Sequence, residues 1–78
     1  MNTKVTIVLK EYDKIKKFIN EVVKFDSDVD LVKGSYTVDS KSIMGIFTVD
    51  LSEPVDVVIH SDNEEEVKRF NEVMKEFI

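Results

Sequence analysis

Ser40-Lys41-Ser42-Ile43-Met44-Gly45-Ile46-Phe47 is a helix start set between strand-like segments, and its place in the chain orders everything around it. Ser42 is placed to cap a helix, and Ile43, Ile46 and Phe47 follow at helical spacing. One or two turns are predicted, fading over Thr48 to Leu51, where two β-branched residues lower helix propensity. Upstream, Val29 and Leu31 alternate with Asp30 and Val32 as far as Lys33-Gly34-Ser35, where the glycine permits a tight reversal. Tyr36-Thr37-Val38-Asp39 then forms the second arm of a hairpin whose turn type the residues leave open. Downstream, Ser52-Glu53-Pro54 stops the helix, since proline disfavours helix at the residue before it. Val55, Val57 and Ile59 alternate with Asp56, Val58 and His60 as a fourth strand.

The flanks complete the pattern. Lys4 to Leu9 alternates, with Val5, Ile7 and Leu9 on one side, and is predicted as the first strand. From Asp13, Ile15, Phe18, Ile19, Val22 and Phe25 follow a helical period, with Asp13 serving as N-cap or as an acid in the first turn. Asp26-Ser27-Asp28 is turn chemistry. After Ser61-Asp62-Asn63, where Ser61 with Glu64 or Asp62 with Glu65 has capping-box spacing, a last helix lines up Val67, Phe70, Met74 and Phe77. The order β-α-β-β-α-β-α predicts a single α+β domain over residues 1–78, an open-faced sandwich. Its sheet has four mostly antiparallel strands and carries three helices on one face. Phe18, Phe25, Phe47, Phe70 and Phe77 are the expected aromatic core, each burial worth about 1.5–3 kcal/mol before entropy.

Seventy-eight residues with 42% hydrophobic and 35% charged side chains can fold, but only around one core. The absence of cysteine removes disulfides, thiolate zinc sites and cysteine nucleophiles together, and fits a reducing cytoplasm. The start Met1-Asn2-Thr3-Lys4 lacks the apolar core of a secretory leader, and no run approaches a membrane span. A net charge of −5 argues against a nucleic-acid surface.

The chemical inventory is thin. The one histidine, His60, stands alone at a strand end, with no second histidine for a metal pair. Asp26, Asp28 and Asp30 lack the glycine bend and terminal glutamate of a calcium loop. Glu64-Glu65-Glu66 suits the positive end of a helix dipole, and Lys14, Lys16, Lys17 and Lys24 make a solvated basic face. Gly34 and Gly45 build no phosphate cradle. No enzyme activity, metal or cofactor is expected. Ile43, Met44 and Phe47 beside Ser42 fit a docking surface, although on the residues alone a capping serine with core neighbours is the favoured reading.

Lys41-Ser42-Ile43-Met44-Gly45, coming after a hairpin and before a fourth strand and terminal helix, resembles the HPr phosphocarrier family of the bacterial phosphotransferase system. The resemblance spans most of the chain and is strongest from Ser40 to Ile59. It implies the same open-faced sandwich. It also matches Ser42 to the regulatory serine that an ATP-dependent kinase phosphorylates in some relatives, and Ile43, Met44 and Phe47 to the patch that meets the kinase, a transcriptional regulator and phosphotransferase components. One departure is decisive. Where the family's first strand leads into a Gly-x-His-x-Arg-Pro loop, this chain has Glu11, Tyr12 and Asp13 and is about three residues shorter. The family's phosphoryl-accepting nitrogen is therefore lacking, as it is in a catabolite-repression homologue that works through its serine alone. A cytoplasmic regulatory or protein-binding module is expected, with no nucleic-acid or membrane partner and with its oligomeric state open. The alternatives are a carrier with a non-standard acceptor and a purely structural subunit. Burial of both Met44 and Phe47 would remove the docking role.

Overall fold

The computed structural model describes residues 2–78, so Met1 of the N-terminal start lies outside it. The elements are β1 (Lys4–Ile7), α1 (Tyr12–Val22), β2 (Val29–Lys33), β3 (Tyr36–Asp39), α2 (Ile43–Ile46), β4 (Val55–Ile59) and α3 (Glu64–Met74), closed by a 3-10 turn over Lys75–Phe77. The strand order is β1-β4-β2-β3 and every pairing is antiparallel. Ile7 faces Val55, Leu31 faces Val57 and Val38 faces Leu31. Alternation then decides the two faces of the sheet. Ile7, Val29, Leu31, Val55, Val57 and Ile59 are buried, whereas Lys4, Thr6, Thr37 and Asp39 of the opposite face are exposed. This is the open-faced α+β sandwich that the pattern predicts.

The buried face meets Ile15, Phe18 and Val22 of α1 and Val67, Phe70 and Met74 of α3. Phe18 packs edge-on against Phe77 at 5.7 Å between centroids, and Phe25 against Phe70 at 6.0 Å, both within the range of favourable aromatic pairs. Four of the five expected aromatics are thus in the core. Phe47 is not: α2 is a single turn, its inward position is taken by Ile46, and the next residue is carried round to solvent.

Other departures are local. The first strand ends at Ile7 rather than Leu9, because the amide of Val8 turns away to bond the Phe77 carbonyl at 2.9 Å, although Leu9 remains buried. Asp13 is not the cap of α1. The cap position is Glu11, in extended backbone and with no side-chain capping bond, so Asp13 takes its other expected place as a first-turn acid. At α3 the cap is Asn63, whose Oδ1 accepts from the Glu66 amide at 3.0 Å, and this displaces both capping boxes expected from Ser61 and Asp62. In the β2–β3 hairpin Gly34 has φ +59 and no described non-glycine residue has a positive φ; a glycine alone in that region at the first central position is the pattern of a type II′ turn.

Candidate functional site

α1 starts where β1 ends, after the link Val8-Leu9-Lys10-Glu11. Tyr12 opens the helix and is 64% exposed, with the Lys16 ammonium 6.0 Å from its ring centre. Glu11 and Asp13 are also exposed. The groups at this corner are two carboxylates and a phenol, with no imidazole. His60 is far from it: Ile7 pairs with the start of β4 at Val55, and His60 follows the other end of that strand. There its amide bonds the Asp28 carbonyl at 2.8 Å and its Nε2 lies 2.7 Å from Asp30 Oδ2. The histidine thus joins the β4 exit to β2.

α2 gathers the other residues singled out in the sequence. Its first turn is set by Ser42, whose amide donates to the Asp39 carbonyl at 3.0 Å and whose Oγ accepts from the Gly45 amide at 3.3 Å. This is N-cap geometry, and the serine side chain remains exposed. Around it Ile43, Met44 and Phe47 are 55%, 80% and 53% exposed, while Ile46 between them is fully buried. The burial that would have removed a docking role is absent. Three large apolar side chains on one solvent-facing turn, beside an exposed serine, can hold a protein surface by area and can be altered by charge placed next to them.

Two contacts at this site left no signal in the sequence. The Lys41 ammonium donates to the Phe25 carbonyl, just past α1, at 2.6 Å. At the other end of the segment the Lys33 ammonium donates to the Asp50 carbonyl at 2.9 Å. Since β2 ends beside the start of β4 and the end of β1, the chain from Lys41 to Asp50 runs from the side where α1 finishes toward the side where it begins. α1 is about 16 Å long at the standard rise, so Lys41, held just past its C-terminal end, stands at the opposite end of that helix from Glu11, Tyr12 and Asp13. A third unforeseen group is Glu66. Its carboxylate, buried at the α3 entrance, accepts from the amides of Asp26 and Ser27 at 3.0 and 3.2 Å and from the Ser27 hydroxyl. The Ser27 hydroxyl first, and then that of Ser61, hold its pKa down at about 2.

The family model described as the phosphotransferase-system HPr component phosphorylation site matches residues 3–78. The chain belongs to the HPr family of the phosphotransferase system. Among solved structures it is similar to HPr-C-His from Thermoanaerobacter tengcongensis, with 28% identity, a TM-score of 0.73 and coverage of 95% of this chain and 92% of that one. It shares its fold with a phosphocarrier protein HPr from Bacillus anthracis strain Ames, at 22% identity and a TM-score of 0.70, over 99% of this chain and all of that one. A search of curated proteins gives no match. Among the described residues no helix is long and apolar enough to cross a membrane.

Proposed function

We propose that this HPr-family chain is a regulatory, protein-binding module that does not carry a phosphoryl group on histidine, that docks through Ile43, Met44 and Phe47, and that is switched at Ser42. One observation carries this reading. The exposed apolar turn and its exposed serine are present, while the α1 entrance holds Glu11, Tyr12 and Asp13. An aspartate there repels an incoming phosphate, and a carboxylate cannot serve as the same nitrogen carrier. The partners are proteins: an HPr-type serine kinase, a transcriptional regulator or phosphotransferase components, met in the cytoplasm. Neither an enzyme activity of its own nor a cofactor belongs to this reading, and the net charge of −5 disfavours nucleic acid.

In the modification step the Ser42 Oγ attacks the γ-phosphorus of ATP. The bond to ADP breaks, and the hydroxyl proton passes to a base of the kinase. A dianion beside Met44 then opposes docking on an apolar or acidic partner surface and favours a basic one. The test is incubation with an HPr-type serine kinase and ATP, read by intact mass. One phosphoryl group per chain is expected, and none on Ser42→Ala; an unmodified wild-type chain overturns the switch. In a parallel arm with labelled phosphoenolpyruvate and the first enzyme of the system, no label is expected. Acid-labile label on the chain would instead establish a carrier with a non-standard acceptor.

A further inference from the structure

α2 is thinly attached for an element that presents so much apolar surface. Within its four residues Ile46 alone is buried, and the backbone bonds Ile46 N to Ser42 O, Phe47 N to Ile43 O and Thr48 N to Gly45 O lie in a largely exposed turn. Below it Val49 is half-buried and Leu51 is buried before the proline that leads into β4. Few buried contacts and solvent-accessible backbone bonds are the features of a unit that opens below the threshold of global unfolding.

The segment is gripped at both ends by lysine side chains that originate outside the helix. At its start Lys41, half-buried, reaches the Phe25 carbonyl at 2.6 Å, while its own amide bonds Asp39 Oδ1 at 2.9 Å. Phe25 is itself fixed: its ring meets Phe70 and lies under the Arg69 guanidinium at 4.9 Å, and the next two amides are held by Glu66. At the far end Lys33, anchored at the close of β2, bonds the Asp50 carbonyl and lies 3.7 Å from Asp50 Oδ2 and 3.6 Å from Glu53 Oε1. The Ser52 hydroxyl, the Ser52 amide and then Lys33 hold the Asp50 carboxyl below its ordinary range, so this end stays charged. Ammonium-to-carbonyl bonds are charge-assisted and stronger than neutral ones.

We infer that Lys41 and Lys33 are positioning residues, fastening the two ends of the 41–53 segment to the α1 exit and to β2 and so setting how often α2, with Ser42 and its apolar patch, lifts off the sheet. The assignment deepens the docking reading given above, because a partner or kinase that engages Ser42 to Phe47 meets a surface whose pose the two lysines fix. It is tested without either of them.

Amide hydrogen exchange is measured under native conditions on the full chain and on Lys41→Met, Lys41→Arg and Lys33→Met. In Lys41→Met the amides of Ile46, Phe47 and Thr48 are expected to exchange about tenfold faster or more, the factor that one charge-assisted hydrogen bond implies, with β2 and β4 unchanged. Lys33→Met is expected to do the same, most strongly at Thr48 and Val49, and Lys41→Arg to return α2 to near the wild-type rate. Unchanged α2 rates in both methionine variants overturn the assignment. So does equal acceleration across β2 and β4, which would make the lysines contributors to global stability only, or an arginine variant as fast as the methionine one. The exchange data stand apart from the kinase test: a chain that the kinase leaves unmodified can still show the split, and a modified chain can lack it.

Discussion

Ser40 precedes the functional segment by two residues and has a fully buried hydroxyl with no hydrogen-bond partner among the described residues. Its amide is satisfied by the Val29 carbonyl at 2.8 Å, so the backbone needs residue 40 in place but the hydroxyl contributes desolvation cost without return. Ser40→Ala is therefore expected to stabilise the protein by about 1 kcal/mol, seen as a higher urea midpoint with an unchanged slope. A lower midpoint would reveal a partner for the hydroxyl. The sequence marks Ser42 as a cap but shows Ser40 only as a serine in a polar run, with no sign of its burial. The difference is that Ser42 sits where an orphan helix amide reaches it, whereas Ser40 turns under the edge of the sheet.

At the scale of elements, α2 divides into what local pattern can and cannot show. Its cap, its place after the hairpin and its end before Pro54 follow from residue types with strong positional preferences. Which of two adjacent apolar residues faces inward does not, because a single turn offers no repeat to average over; Phe47 is the expected core residue, and Ile46 is the one that is buried. The lysine contacts at either end are longer side-chain reaches, 16 and 17 residues apart in sequence, that no spacing rule encodes. Gly45 tests the element directly. A methyl group there would lie 3.4 Å from Ser42 Oγ and 3.6 Å from Val38 Cβ, ordinary contact distances, so glycine is not demanded by space. Gly45→Ala is expected to gain about 0.5–1 kcal/mol through helix propensity and to slow exchange in α2. A destabilised variant would show that the closeness of the turn to Val38 leaves no slack.

Over the whole molecule, Glu66 ties the α3 entrance to the turn between α1 and β2 across about forty residues of chain, a contact that sequence spacing could not announce. Its folded pKa of about 2 lies below the ordinary 4.5. Between those values the unfolded chain binds a proton that the folded chain does not, so stability falls as pH is lowered through this window and the contribution is present in full above it. Glu66→Gln is expected to cost about 1–3 kcal/mol at neutral pH and to flatten the fall in stability on acidification. Thermal midpoints of both proteins at a series of pH values check this, and parallel curves would remove the role. The open-faced sandwich is legible in the sequence because alternating segments and helices of these lengths, in this order, fit few architectures. The charge economy of the interior is not, because Glu66 looks like any other acid in a first helical turn.

The last strand in sequence stands inside the sheet: β4 lies between β1 and β2, and it alone connects the N-terminal strand to the β2–β3 hairpin. During synthesis β1 and α1 leave the ribosome with no sheet to join, and the hairpin follows as an isolated pair, which is marginal by itself. Neither can be locked until Val55–Ile59 has emerged, and Phe18 waits longer still for Phe77. The nascent chain therefore exposes the apolar faces of β1, α1 and the hairpin until β4 and then Phe77 have emerged, and the sheet assembles only once its last strand in sequence is available.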